Sequence, residues 1–229
     1  MKCLHCGKRI RNKRQDALYC SSRCRVAYNR NRHVTFTDPS ACCILSLCDY
    51  WGTWSAPYRD AGYRVEQIDI QTGQDVRLLP YPGPVHGILA APPCTMFARA
   101  GNRWTRSEDQ MREALSVVDA CLRFVAMCAP AWWCLENPTG KLSRYLGDPV
   151  WRFDPCDYGD PYTKRTCLWG EFTVPRPSSQ PVEPLQTSPG HHRIDAYLKA
   201  QGYTLGRKRA MLRSMTPPGF AQAFFRANK

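Results

Sequence analysis

Pro92-Pro93-Cys94 is the stretch of this chain best placed to do covalent chemistry. Proline lacks a backbone N–H and fixes φ, so the pair stops a strand and holds the cysteine in the loop at its tip. Most cysteines pack as small apolar residues, which is the reading for Cys121, Cys128, Cys134 and Cys167. A thiol held at a strand tip can instead reach a ligand and act as a nucleophile. Glu136-Asn137-Pro138 closes the next apolar run and brings a carboxylate to the same rim.

A second constellation lies at the N-terminus. Cys3 and Cys6, then Cys20 and Cys24, form C-x2-C, thirteen residues, C-x3-C. Two close thiolate pairs of this spacing can close a tetrahedron around Zn²⁺. Gly7 suits the tight turn of a metal knuckle, and Ser21 stands where the N-cap of a short helix belongs. A segment this short cannot bury enough surface to fold alone, so the metal would supply its folding free energy. His5 and His33 are read as surface residues, with substitute ligation as the other option.

The elements that must carry Cys94 and Glu136 follow from the apolar pattern. Cys42–Cys48, Val65–Ile70, Val85–Ala91 and Ala131–Leu135 have strand length, and Ser107 to Ala129 has helical periodicity through Met111, Leu115, Val118, Leu122 and Val125. Strand-helix alternation argues for an α/β fold with a doubly wound, mostly parallel sheet. Ligands of such sheets bind beyond the C-terminal strand ends. Asp49-Tyr-Trp-Gly52 follows the first strand, where Gly52 would let the backbone approach a ligand; Asp69 ends the second strand, where an acid would hold ribose hydroxyls. The phosphate-binding G-x-G-x-x-G is absent, which favours a nucleoside cofactor such as S-adenosylmethionine over a pyrophosphate one.

Composition bounds the partners. The 229 residues are 43% hydrophobic, enough for a core, and no run approaches the roughly 18–20 apolar residues of a membrane span. The start lacks the apolar run of a secretion signal. Thirteen cysteines, an odd number, fit metal-bound or reactive thiols in a reducing cytoplasm better than a disulfide framework. The net charge is +13, and residues 1–33 hold ten Lys/Arg against the single acid Asp16. One-signed charge of that density, from Lys8, Arg9, Arg11, Lys13 and Arg14 onward, points to nucleic-acid phosphates. The organisation expected is a basic four-cysteine zinc module at 1–33, a linker at 34–41 and a catalytic domain at 42–229.

Pro92-Pro93-Cys94, Glu136-Asn137-Pro138, Tyr158-Gly159-Asp160-Pro161 with Lys164-Arg165-Thr166, and Met215-Thr216-Pro-Pro-Gly-Phe220-Ala-Gln-Ala223 occur in that order. In this order they resemble the motifs of the cytosine-C5 DNA methyltransferases, especially the compact forms carried by phages and prophages. The N-terminal segment is similar to small treble-clef or ribbon fingers. The resemblance implies the Rossmann-like S-adenosylmethionine-dependent methyltransferase fold, Cys94 as the thiolate that adds to cytosine C6, Glu136 at N3, and Arg165 fixing cysteine and base. It implies a cofactor site of Asp49, Gly52, Asp69, Asp75, Pro92 and Thr216, and double-stranded DNA with the target base flipped out. It also implies a role in marking phage or mobile DNA against restriction, in a bacterial host cytoplasm.

Three departures accompany it. The family's Phe-x-Gly-x-Gly loop reads Cys48-Asp-Tyr-Trp-Gly52-Thr, so the adenine-stacking aromatic is missing, and Trp51 and Trp54 can be read as its replacement or as core. Arg-x-Arg reads Lys164-Arg165-Thr166. The recognition domain shrinks to about residues 171–210, with His191 and His192 read as surface loop, which implies short or relaxed specificity and a finger that adds DNA grip. The alternatives are C5 methylation of single-stranded nucleic acid, RNA or a nucleotide, and a non-catalytic DNA-binding scaffold.

Overall fold

The computed structural model describes residues 2–3, 8–10, 17, 19–21, 24, 38–99, 105–186, 193–206 and 209–229. Cys6, His5, His33, linker residues 34–37, His191, His192 and residues 207–208 lie outside them. The chain divides into two units, Met1–Thr37 and Asp38–Lys229.

In the first unit, Lys2 and Arg9 form an antiparallel bridge, and Cys3 N–H donates to Lys8 C=O at 2.9 Å, closing a knuckle. Ser21 Oγ accepts from the Cys24 N–H at 3.1 Å, the N-cap bond expected of that serine.

The second unit is an α/β sheet of six strands in the order β2-β1-β3-β4-β6-β5. The strands are β1 (Cys43–Leu47), β2 (Arg64–Ile68), β3 (Gly87–Ala90), β4 (Trp132–Pro138), β5 (Trp151–Phe153) and β6 (Thr166–Glu171). The first four run parallel, while β6 lies antiparallel to both β4 and β5. The helices are α1 (Ala56–Asp60), α2 (Glu108–Cys128), α3 (Ser143–Leu146), α4 (Arg193–Ala200), α5 (Arg209–Leu212) and α6 (Pro218–Ala227).

Alternation along the buried strands feeds two cores. Leu45, Leu47, Ile88 and Leu135 pack under Val118, Cys121 and Phe124 of α2. Ile44, Leu89, Cys134 and Leu168 face an aromatic layer of Trp54, Tyr58, Phe153, Phe220 and Phe224 from the other side of the sheet. Trp54 is fully buried there, so of its two readings the core one holds. The long helix starts because Ser107 and Gln110 make a reciprocal capping box and stops at Ala129 in a left-handed conformation.

Register sets the working edge. Leu47 pairs with both Ile68 and Ala90, and Ala90 with Leu135. The first three strands therefore end at one level, β4 runs three residues further, and Asp69, Ala91 and Glu136 are the next residues past that level. The order reverses between β1 and β3, the switch point where open sheets bind ligands. Antiparallel β6 begins at the same edge, Thr166 opposite Pro138.

Candidate active site

Cys94 is positioned from both sides. Ala91 N–H donates to Leu47 C=O at 2.9 Å, and the fully buried Asn137 donates its Nδ2 to Pro92 C=O at 2.9 Å. The Glu-Asn-Pro strand thus holds the Pro-Pro-Cys loop directly. Past the thiol, the N–H groups of Phe97 and Ala98 both donate to Cys94 C=O, and Lys141 N–H donates to Phe97 C=O at 2.7 Å. Gly140 permits this seam: a Cβ there would come within 1.9 Å of the Phe97 carbonyl oxygen. Arg106 donates to the carbonyls of Thr95 and Met96, fastening the loop's outer side.

The half-buried Cys94 lines a cavity of about 660 Å³ together with Thr95, Arg106, Lys164, Arg213 and Ser214, among others. Glu136 is buried behind it with Lys164 Nζ 3.9 Å from Oε1. Burial pushes the Cys94 thiol up; the Lys164 cation pulls it back, Glu136 adds to the rise, and Arg213 opposes it. Burial likewise raises the Glu136 carboxyl, against Lys164. A rise favours the protonated carboxyl, so this rim carries a latent nucleophile and cations lining one cavity, with a carboxyl suited to proton donation beside Lys164.

Arg165 is elsewhere. It is exposed and pairs with Asp154 at 3.3 Å, outside the cavity lining. The residue brought to Glu136 is Lys164, because side chains alternate along the strand and Lys164 shares a face with Thr166 rather than with Arg165. The run Lys164-Arg165-Thr166 entering a strand carried that signal.

The cofactor residues expected from sequence take unequal places. Asp49 is buried and accepts from Ser46 Oγ at 2.8 Å, Gly52 N–H at 3.0 Å and Ser55 Oγ at 3.1 Å, so it braces its own turn. Gly52 has φ +64° and faces the Gln67 side chain, whose Nε2 donates to the carbonyls of Asp49 and Tyr50. Asp69, half-buried at the end of β2, accepts from Gln71 N–H at 2.8 Å. Asp75 is gripped by Arg77, which holds its carboxyl down at about 2. Pro92 is buried at the switch point and Thr216 is buried ahead of α6. A second cavity of about 390 Å³ runs along β2 past Gln67, Gln74 and Phe124, and none of these six residues lines it.

Two links went unread in the sequence. Asp160 accepts from Gly219 N–H at 2.9 Å, capping α6 from the Tyr-Gly-Asp-Pro stretch and joining two of the ordered motifs. Trp51 donates its Nε1 to Met211 C=O at 2.8 Å, joining the loop after β1 to α5. The expectation of packed cysteines holds for Cys121, Cys134 and Cys167, while Cys128 is half-buried. In the first unit, the sulfur atoms of Cys3, Cys20 and Cys24 lie within 4.8 Å of one another. No described helix is long and apolar enough to cross a membrane.

No family model and no curated protein matches the chain. Among solved structures, it is similar to an E. coli prophage-encoded protein provisionally described as a DNA modification methyltransferase, with TM-score 0.43 and 18% identity. The match covers 63% of this chain and 53% of the other, so the chain spans about half the length of that structure.

Proposed function

We propose that the chain is an S-adenosylmethionine-dependent DNA cytosine-C5 methyltransferase that works through a covalent Cys94 adduct, with a zinc-bound finger supplying additional hold on DNA. The observation that carries this reading is the single rim on which Cys94, Glu136 and Lys164 meet, braced by the Asn137–Pro92 hydrogen bond.

Cytosine C5 is a poor nucleophile, so the ring must first gain electron density. Cys94 gives its proton to solvent and its sulfur bonds to C6, while the protonated Glu136 delivers its proton to N3 and becomes a carboxylate, leaving an enamine nucleophilic at C5. S-adenosylmethionine, when bound, supplies an electrophilic methyl group on a sulfonium sulfur. Release then requires that the C5 proton pass to solvent, that the bond between C6 and the Cys94 sulfur break with its electron pair leaving on sulfur, and that the N3 proton return to Glu136, which restores the ring and both residues. Burial suits both residues to these tasks: it favours the protonated form of Glu136, and it leaves the thiolate little solvation to lose on attack. A base inside a duplex cannot reach such a cleft, so the substrate base must leave its stack.

For the cofactor, the donor set fits in part. Asp69 past the C-terminal end of β2 remains the candidate for hydroxyl groups, whereas Asp49 and Gly52 shape the neighbouring turn and Asp75 is committed to Arg77. For zinc, the three described thiols fit: four sulfurs at a metal–sulfur distance of about 2.3 Å stand roughly 4 Å apart, with Cys6 as the fourth ligand. The excess of positive charge on residues 1–33 favours a polyanion over a free nucleotide.

The test is nucleoside mass spectrometry of DNA incubated with S-adenosylmethionine and protein, beside Cys94→Ala. We expect 5-methylcytosine with the wild type and at least about 10³-fold less with the variant. Product on RNA alone, or product surviving in Cys94→Ala, would overturn the assignment. Metal analysis of the same preparation should find one zinc per chain, lost in Cys20→Ser.

A further inference from the structure

The segment that returns from α4 to α6 is the part of the second unit that the proposed chemistry leaves without a task. It packs as a small cluster of its own, with Tyr162, Ile194, Leu198 and Leu212 buried together and Trp51 and Met215 against them. It also forms one wall of the Cys94 cavity through Ile194, Ala210, Arg213 and Ser214.

Within that wall Arg213 is the only described residue with a permanent charge. Its hold on the wall is loose. Asp195 of α4 is taken chiefly by Arg209, through Nε at 3.1 Å and a second contact from Nη2, whereas Arg213 Nε stands 3.7 Å from the other carboxylate oxygen. That distance is an ion pair without a hydrogen bond. The guanidinium is therefore kept near the cavity but retains donors for something inside it.

Two residues upstream, the backbone is fixed from another direction. Met211 C=O accepts from Trp51 Nε1, and Trp51 belongs to the loop that follows β1. The wall that carries Arg213 is thus tied to the loop at the switch point.

We propose that Arg213 is a positioning residue for Cys94, a second cation across the cleft from Lys164, held in place by Asp195 and by the Trp51–Met211 hydrogen bond. The proposal rests on Cys94 being the nucleophile. Lys164 is shared between two groups, since it stands 3.9 Å from Glu136 and lines the same cavity as the thiol. A cation from the opposite wall lets the thiolate form while Lys164 stays with the carboxylate. The Coulomb attraction of such a pair is strengthened where solvent is thin. Because the two cations come from the start of β6 and from the returning segment, the thiol is activated fully only when that segment is docked.

The experiment is the pH profile of Cys94 alkylation by iodoacetamide, read by peptide mass spectrometry on the full-length protein without cofactor or DNA. Arg213→Met should move the profile to higher pH and slow alkylation about fivefold at pH 7.5, and Arg213→Lys should restore most of the rate. Trp51→Phe, which keeps a ring and loses the donor, should move it the same way by a smaller factor. Lys164→Met is the comparison and should move it as well. A profile for Arg213→Met that overlays the wild type while Lys164→Met shifts would overturn the proposal and leave the nucleophile assignment intact. Equal loss in Arg213→Met and Arg213→Lys, together with a lowered melting temperature, would assign Arg213 a packing role and also overturn it. Absence of 5-methylcytosine with an intact alkylation difference would instead sink the enzymatic reading, not this one.

Discussion

Two loops meet at the C-terminal edge of the sheet, and they treat their acids in opposite ways. After β1, the Asp49 carboxylate accepts from two hydroxyls and one backbone N–H within six residues of itself, and Gln67 binds two carbonyls of the same turn. That loop is closed upon itself. After β3 stands the half-buried Cys94, and near the end of β4 the buried Glu136 has a long contact to Lys164; burial raises both of them. A buried ionisable group without a full set of partners costs stability. Such a cost stands open where a substrate would complete the set, whereas at Asp49 the hydroxyls of Ser46 and Ser55 and the Gly52 N–H oppose the rise that burial causes. Of two acids assigned to function on sequence grounds, Glu136 has the environment of a working group and Asp49 that of a scaffold.

Replacing Glu136 should give the largest contrast. Glu136→Gln removes the proton donor and is expected to lower methyl transfer about 10²- to 10³-fold. Its effect on the neighbouring thiol has the opposite sign. Ionised Glu136 raises the Cys94 thiol, so removing that charge lowers it, and alkylation of Cys94 should become faster at pH 8 while methylation collapses. Slower alkylation in Glu136→Gln would break the picture of two coupled buried groups.

Asp49→Ala should act on the other loop and through stability. It strands the Ser46 and Ser55 hydroxyls and the Gly52 N–H, at a cost of about 1–3 kcal/mol, or several degrees in melting temperature for a unit of this size. Burial raises the Asp49 carboxyl, so the folded state binds its proton more tightly than the unfolded one. Its contribution is therefore fully present below the unfolded value and declines as pH rises through the folded one. The deficit of Asp49→Ala should accordingly be greater in acid than at neutral pH. Cys94 alkylation should follow the wild type; a shifted alkylation profile would mean that the two loops are not separable.

The same contrast explains what could be read from the chain in advance. Strand tips were legible because prolines, an acid after an apolar run and a level register all leave marks in the sequence: Cys94 and Glu136 do share a rim, and α2 runs within a residue of its expected span. Arg165 was expected to fix the cysteine and the base, and beside it in sequence Lys164 is the cation next to Glu136 while Arg165 is exposed and pairs with Asp154. Asp49 and Gly52 were read as cofactor contacts because a turn glycine after β1 looks alike whether it faces a ligand or a side chain. Gln67, which this glycine faces, lies fifteen residues away on another strand. Arg213 was unreadable for a similar reason, as nothing local links it to a thiol 119 positions earlier.

Gly52→Ala is the mildest and most discriminating change. At φ +64° an alanine is strained by about 1 kcal/mol. Its Cβ would also stand 2.6 Å from Gln67 Oε1, so Gln67 must move and surrender its bonds to the carbonyls of Asp49 and Tyr50. If the glycine serves the scaffold, the two costs separate in a double-mutant cycle. Gly52→Ala should lower the melting temperature by several degrees in the wild type and by less in Gln67→Ala, where the obstructing side chain is gone. Binding of S-adenosylmethionine, measured by calorimetry, should weaken only in proportion to the lost fold. If instead the glycine admits a ligand, Gly52→Ala would abolish cofactor binding in both backgrounds while the melting temperature barely moved. That outcome would return the β1 loop to the working side of the comparison.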